Sequence, residues 1–154
     1  MINKKRNCRA LHLIDIENQL GGGKYDQRSV EIYRDSYFSH VPQNELDQFF
    51  VASNPTMMSE TAFGWARSAT KFKGGKNGAD DLIAEYLSDL EYVKKNFCQV
   101  FIASGDGRFV SIAKALIEMG VRVTMVRGLG KLHQDYLNLD IEVIDLETSW
   151  CLVA

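Results

Sequence analysis

Apolar positions along the chain follow two alternating patterns. Short runs rich in β-branched and aromatic residues predict strands, and longer segments with apolar residues three or four apart predict helices. Strands are predicted at 10–16, 48–53, 67–72, 99–103, 121–126 and 141–146. Helices are predicted at 27–38, 56–65, 80–93 and 109–117. This alternation is typical of an α/β fold in which helices cover a central, mostly parallel sheet.

The length of the chain suits one ordinary domain. It has 154 residues, of which 45% are hydrophobic and 25% charged, close to the average for globular domains. No repeat, linker or low-complexity tract divides it, so we predict a single domain over 1–154, with the basic residues 1–8 as a flexible N-terminus. Lysine plus arginine number 18 against 20 acidic residues, a net charge of −2. Such a balance excludes a protein that coats polyanions indiscriminately.

Three cysteines, Cys8, Cys98 and Cys151, lie far apart and form no C-x-x-C pair. This spacing favours neither a disulfide framework nor a thiolate zinc site, and it fits a reducing compartment. The residues after the basic N-terminus become charged too soon for a signal sequence, and no apolar run reaches membrane-spanning length. We therefore expect a cytoplasmic protein that does not bind membranes.

Acidic residues follow two predicted strands and a glycine-rich loop. Asp15 ends the first strand, Asp106 follows the strand at 99–103, and Asp80 follows the loop. Ligands of an open parallel sheet bind outside the carboxyl ends of its strands, so we expect these carboxylates to meet there. Asp80, Asp81 or Asp106 could instead simply cap a helix. Asp15 is harder to explain in that way, because an acid ending an apolar strand is costly unless it is paired or metal-bound.

Clustered carboxylates repel one another, and a hard divalent cation such as Mg²⁺ is the usual remedy. A metal at such a site suits phosphodiester hydrolysis, because it positions a water for in-line attack and neutralises the phosphate. The sequence shows no rival nucleophile. Ser104 has no histidine close to it along the chain, so a hydrolase triad would require tertiary contacts.

Four short segments complete the pattern. They are Asp15-Ile-Glu-Asn18, Gly78-Ala-Asp80, Ile102-Ala-Ser-Gly-Asp-Gly-Arg-Phe109 and Gly120-Val-Arg-Val123. In this order and spacing, over nearly the whole chain, they resemble the NYN domains of the PIN-like ribonuclease superfamily. The resemblance implies a three-layer α/β/α fold, an acidic pocket that binds Mg²⁺ or Mn²⁺, and metal-dependent cleavage of RNA or, less often, of single-stranded DNA.

The resemblance also assigns roles to residues. It implies that Asp15, Asp80 and Asp106 are the catalytic, metal-binding acids, supported by Asn18 and Ser104. Many relatives carry a second acid two residues after the first in the Ser-Gly-Asp turn, where this chain has Arg108. A cation there weakens a metal site unless Glu17 or Asp81 substitutes for the missing acid. Alternatively, Arg108 points outward and holds phosphate.

Basic residues cluster in two stretches that contain no acid. These are Arg67, Lys71, Lys73 and Lys76 in the first, and Arg122, Arg127 and Lys131 in the second. We predict contacts with nucleic acid for Lys71, Lys73, Lys76, Arg108 and Arg127, with Trp65 and Phe72 available for stacking on bases. For any single position, an ordinary solvated lysine or a core aromatic residue is the more frequent outcome.

Two functions follow as expectations. The first is a metal-dependent ribonuclease, an endoribonuclease in type, that uses Mg²⁺ or Mn²⁺ to cleave RNA. The second is a catalytically weak NYN-type module that binds RNA or a partner protein without cutting. A homodimer that extends the RNA groove is compatible with either function.

Overall fold

Six strands form one sheet in which every neighbouring pair is parallel. The computed structural model describes residues 8–22, 24–65, 70–72 and 83–146. The strands are β1 (Ala10–Asp15), β2 (Gln48–Ser53), β3 (Thr70–Phe72), β4 (Gln99–Ala103), β5 (Arg122–Arg127) and β6 (Glu142–Asp145). Their order across the sheet is β3-β2-β1-β4-β5-β6. The α/β architecture predicted from the sequence is therefore confirmed.

Strand β1 is central because it is apolar on both faces. All six of its residues are buried, and it pairs with β2 on one side and β4 on the other. Leu13, for example, lies opposite Phe50 and opposite Ile102. A strand covered on both faces reads as a nearly continuous apolar run, which is why Ala10 to Ile14 shows little alternation.

In the described part of the chain, α-helices connect these strands, and those with both ends described are labelled α1 to α5. They are α1 (Ile16–Gln19), α2 (Gln27–His40), α3 (Met58–Trp65), α4 (Leu90–Asn96) and α5 (Val110–Glu118). Short 3₁₀ segments occur at Pro55–Met57, Gly107–Phe109 and Gln134–Asn138. The first turn of α2 shows why helices begin where they do. The Asp26 carboxylate accepts the Ser29 N–H at 2.8 Å, and this bonding lowers the pKa of Asp26.

Helices cover both faces of the sheet, which gives three layers. On one face, Ile14 and Phe101 pack in one cluster with Val30, Tyr33 and Tyr37 of α2. On the other face, strand residues that alternate with these, such as Leu13, Ile102 and Met125, pack in one cluster with Val93 of α4 and Leu116 of α5. The helices thus change face between β1 and β4, where the chain order of the strands reverses. This reversal is the topological switch point at which open α/β sheets bind ligands.

The sequence predicts one continuous helix over 80–93, and this prediction is wrong because the helix is interrupted. Residues 83–86 are helical, but a turn follows and α4 begins only at Leu90. The Ser88 hydroxyl donates to the carbonyl oxygen of Glu85 at 2.7 Å, and the Asp89 carboxylate accepts the Tyr92 N–H at 3.0 Å. These local side-chain bonds end one helical segment and cap the next, while the apolar spacing continues across both.

The two cysteines at the start of β1 and β4 are joined, contrary to the expectation from their spacing. Cys8 and Cys98 form a disulfide with Cα atoms 5.5 Å apart, although 90 residues separate them. The strand register places Ala10 opposite Gln99, so the residues just before these positions meet. The prediction of a reducing compartment relied on unpaired cysteines, so this disulfide removes its basis. Within the described ranges, none of the helices is long and apolar enough to cross a membrane.

Candidate metal centre at the carboxyl edge

Asp15 lies at the junction of β1 and α1, where the chain turns from strand to helix. Its side chain is almost completely buried, with 4% of the residue exposed. Oδ1 accepts the Asn18 N–H at 3.2 Å, and Oδ2 accepts the Ser104 hydroxyl at 3.3 Å. The carboxylate therefore both caps α1 and fixes the end of β1 to the loop that follows β4.

Residues 104–106 form the neighbouring wall of this site. Ser104 is fully buried, and its Oγ accepts the Asp106 N–H at 3.3 Å while donating to Asp15. The Asn18 side-chain oxygen accepts the Gly105 N–H at 2.8 Å. Ser104 and Asn18 thus hold the two strand ends in a fixed relation. The supporting role in catalysis that the resemblance implies for both residues stays a prediction.

Asp106 lies at the surface end of this chain of hydrogen bonds. It is half-buried, and its Oδ1 accepts the Arg108 N–H at 2.9 Å at the start of the 3₁₀ segment. The capping role considered for Asp106 is therefore present. Tyr136 donates its hydroxyl to the Asp106 carbonyl oxygen at 2.5 Å, which fixes the backbone. The Asp106 Oδ2 atom accepts no hydrogen bond from any described residue, and Arg108 is exposed beside it.

The glycine between Ser104 and Asp106 is required by a close approach of backbone. The Gly105 carbonyl oxygen accepts the His133 N–H at 2.8 Å. A Cβ at Gly105 would overlap the carbonyl oxygen of Lys131, and one at Gly107 would overlap the His133 ring. The segment 131–133 therefore packs directly on the loop that carries Asp106, and it brings Lys131 to this edge.

Glu17 reaches the same edge from α1. Its Oε1 accepts the Asn54 N–H at 2.6 Å, directly after β2. Tyr25 lies close by, and its hydroxyl shares a hydrogen bond of 2.8 Å with Thr61. Burial is the main cause that raises the pKa of Tyr25 to about 12, and the charges of Glu17 and Asp15 raise it further. Tyr25 was missed from the sequence because nothing distinguishes a single tyrosine in a loop.

A second buried layer anchors α1 beneath the acids. The Gln19 side chain accepts the Tyr33 hydroxyl at 2.7 Å and donates to the Val126 carbonyl oxygen at 3.1 Å. The Gln19 carbonyl oxygen accepts the Leu129 N–H at 2.8 Å. This helix of four residues is thus fixed to α2, to β5 and to the loop after β5. A polar residue at this position gives no sequence signal of such a role.

Several predicted site residues lie outside the described part of the chain. They are Asp80, Asp81, Lys73 and Lys76. Lys71 lies in β3 with its backbone opposite Ala52. Arg127 ends β5, with Nη1 3.8 Å from Asp145 Oδ2, and so lies on the carboxyl edge. The stacking role considered for Trp65 is wrong, because this residue is completely buried against Tyr37 and Phe38.

The donor set for a metal is partial. Among the described residues, no group of three or more histidine, cysteine, aspartate or glutamate side chains is placed to hold a metal ion. Asp15 and Asp106 supply two carboxylates on adjacent strand ends, which suits a hard, oxygen-preferring cation. As carboxylates they match the oxygen preference of Mg²⁺ or Mn²⁺, and a metal site, which would need further oxygen ligands, stays a prediction.

Comparisons with family models, with curated proteins and with solved structures find no match to this chain. The likeness to NYN domains rests on the four sequence segments quoted above. The fold and the site are therefore interpreted from the chain's own residues.

Proposed function

We propose that the protein is a metal-dependent nuclease that hydrolyses phosphodiester bonds of RNA or of single-stranded DNA. One observation carries this proposal. Asp15 and Asp106 follow the two strands that flank the switch point of the sheet, and Ser104 links them by hydrogen bonds of 3.3 Å on each side. A buried carboxylate beside a half-exposed one, at the edge where such sheets bind ligands, favours chemistry over a purely structural role.

The proposal gives each residue a task. Asp15 and Asp106, with Asp80 from the part of the chain that is not described, hold Mg²⁺ or Mn²⁺. The bound metal supplies an activated water and neutralises charge on the phosphate. Ser104 fixes the orientation of Asp15, and Asn18 fixes the loop that carries Asp106. Glu17, held by Asn54, is the additional acid at this edge.

Cations lie at the same edge, and in the proposal they contact the substrate backbone. Arg108 and Lys131 are exposed beside the Asp106 loop, and Arg127 ends the adjacent strand. Phosphate contacts of this kind position a nucleic acid without reading its sequence. Lys71, Lys73 and Lys76 extend this surface in the proposal. A homodimer that lengthens the groove stays a prediction.

A cleavage assay with matched variants tests the proposal. Labelled single-stranded RNA and DNA are incubated with the protein in Mn²⁺, Mg²⁺ or EDTA, alongside Asp106→Asn, Asp80→Asn and the exposed control Asp140→Asn. We expect cleavage that EDTA abolishes and that each site variant lowers by at least ~100-fold, because loss of a ligand should exceed the effect of losing its supporting partner. Asp140→Asn should retain full activity. Undiminished cleavage by either site variant would remove that residue from the site.

A second candidate is a module that binds RNA or a protein without cutting. It is favoured by the hydrogen bonds that the described acids already make, since Asp15, Glu17 and Asp106 each accept a backbone N–H. Arg108 also stands where a further acid is expected from the resemblance. RNA binding that is insensitive to EDTA, without any cleavage, would select this alternative.

A further inference from the structure

The opposite, amino-terminal edge of the sheet carries a second site of different chemistry. The disulfide between Cys8 and Cys98 is exposed there and opens onto a cavity of about 350 Å³. Arg9, Lys94 and Lys95 line this cavity together with Phe97 and Met119, and no acidic residue of the described ranges does. An exposed disulfide in a cationic hollow differs from a structural bridge sealed in a core.

The positive charge at this cavity is held in place. The Arg9 guanidinium lies 5.1 Å from the centre of the Phe97 ring, and its Nε donates to the Leu46 carbonyl oxygen at 2.9 Å. Lys94 and Lys95 are exposed in the last turn of α4, and within the described residues neither forms a salt bridge. Two acids, Asp89 and Glu91, line a separate hollow that shares both lysines.

Cys98 is the better fixed of the two half-cystines. Its N–H donates to the Arg9 carbonyl oxygen at 3.1 Å, and its own carbonyl oxygen accepts the Arg122 N–H at 3.2 Å. These bonds continue the sheet on both sides, so Cys98 keeps its place when the disulfide opens. A group bound to its sulfur would remain beside the lysines.

We propose that this disulfide is an exchange site for small anionic thiols such as glutathione. The incoming thiolate attacks Sγ of Cys98, a new sulfur–sulfur bond forms there, and Cys8 leaves as a thiolate. The protein disulfide is itself the oxidant, so the step balances without another reagent. The cations raise the local concentration of an acidic thiol and stabilise the departing thiolate. This site is independent of the nuclease proposal, since it lies at the other end of the strands.

The test compares thiols of different charge. The oxidised full-length protein is incubated at low salt with glutathione, neutral mercaptoethanol or cationic cysteamine. Opening is followed by intact mass and by peptide mapping, and each rate is divided by that thiol's rate with an uncharged model disulfide. We expect glutathione to react ~10-fold faster than cysteamine on this relative scale, with the adduct on Cys98.

Charge variants show whether the lysines are responsible. Lys94→Glu/Lys95→Glu should lower the relative rate with glutathione by ~10-fold, which abolishes the preference for this thiol. The rate with mercaptoethanol should stay within about twofold of the wild-type rate. Lys94→Gln/Lys95→Gln should also lower the relative rate with glutathione, but by less. This variant removes the positive charges without placing carboxylates at the end of α4. The control Lys24→Glu/Arg28→Glu has the same charge change at exposed positions around the start of α2, which follows the carboxyl end of β1, and should keep the preference. Equal relative rates for all thiols, an equal loss in the control, or an adduct only on Cys8 would overturn the proposal.

Discussion

Polar side chains differ in exposure between the carboxyl-terminal edge and the buried network around His12 near the amino-terminal edge. We call this network the sealed edge, to distinguish it from the exposed disulfide at the same end of the strands. At the amino-terminal edge, His12 is completely buried between Phe49 and Phe101, with ring centres 4.2 and 4.5 Å away. Its Nε2 lies 2.9 Å from Asp47 Oδ2, and its Nδ1 lies 2.6 Å from the Tyr37 hydroxyl. Each ring nitrogen has a partner, and the group is sealed from water.

The protonation states of this network follow from its geometry. Asp47 can only accept, so Nε2 carries the proton and Nδ1 accepts from the Tyr37 hydroxyl. Burial lowers the pKa of His12, although Asp47 partly opposes this, and burial raises the pKa of Tyr37 well above its usual value. A neutral histidine between a carboxylate and a neutral phenol satisfies every polar atom, so this edge stabilises the fold.

The carboxyl-terminal edge is not sealed in this way. Asp15 is buried, but Glu17, Asn18 and Asp106 are only half-buried, and the Asp106 carboxylate uses one oxygen to cap a short helix. The polar groups here hold the backbone and remain accessible to an incoming ligand. Under the proposed function, the acids of the carboxyl-terminal edge would serve the ligand, whereas Asp47 stabilises the fold.

Removing one acid at each edge is the most direct test of whether the two edges differ in their contribution to stability. Asp47 accepts hydrogen bonds from the Ala10 N–H, the Asn44 N–H and His12. We expect Asp47→Ala to lower the free energy of unfolding by about 3–4 kcal/mol, because it leaves buried donors without an acceptor. Asp106→Ala loses one exposed cap and should cost only about 1 kcal/mol. Urea denaturation of both variants, with Asp140→Ala as a neutral control, measures the difference. Equal losses would mean that the edges do not differ in this respect.

A smaller effect is expected from the glycine that carries the Asp106 loop. Gly105→Ala places a Cβ against the carbonyl oxygen of Lys131, a backbone atom that cannot move aside easily. We expect a loss of about 2–3 kcal/mol, as for other overpacked sites. Gly22→Ala is the matched control, since its φ of 82° disfavours alanine but no atom lies within 4 Å of the new Cβ. That variant should lose about 1 kcal/mol in thermal or urea unfolding. If Gly22→Ala proves as costly as Gly105→Ala, the contact with Lys131 is not what the loop requires.

Local sequence patterns predict most of the fold because the strands are short apolar runs with clear ends. The strands at 48–53 and 99–103 were predicted at their observed bounds. The break before α4 was missed, since Ser88 and Asp89 act through hydrogen bonds that do not alter the apolar spacing. The Cys8–Cys98 bridge was missed for a different reason. It depends on the register of strands that lie 90 residues apart in the chain.

The candidate site is predictable only in part. Asp15 and Asp106 were proposed because they end or follow strands that a parallel sheet brings to one edge, and Ser104 was proposed from the resemblance. The hydrogen bonds that join them, and the contacts of Gln19 and Tyr25, depend on side-chain packing between distant segments. Asp80 lies outside the described residues, so its place in the donor set stays a prediction. The role of Arg108 likewise stays a prediction, although its exposed position suits contact with phosphate.

Acid should weaken the fold through the sealed edge. The pKa of His12 is lowered in the folded protein from the ordinary value of 6.5. The unfolded chain therefore binds the proton more readily, and stability falls as the pH drops below 6.5. We expect this group to remove up to about 1.4 kcal/mol between pH 7.5 and 5.5. Urea denaturation of the wild type and of His12→Gln at both pH values isolates the effect. A pH dependence that survives in His12→Gln would have another source.

The smallest expected effect is the gain in folding stability when Mn²⁺ binds at the carboxyl-terminal edge. If Asp15 and Asp106 hold Mn²⁺, the metal binds only the folded state and raises its stability by about 0.8 kcal/mol at three times the dissociation constant. For a domain of this size, that corresponds to a rise of about 2–3 °C in Tm. The rise should vanish in Asp106→Asn and persist in His12→Gln, because the second variant alters only the sealed edge. Calorimetry with Mn²⁺ and then excess EDTA measures it without reference to cleavage. An equal rise in Tm in Asp106→Asn would place the metal elsewhere. Loss of the rise in that variant alone would assign metal binding to the carboxyl-terminal edge, and this conclusion holds even if the substrate is not RNA.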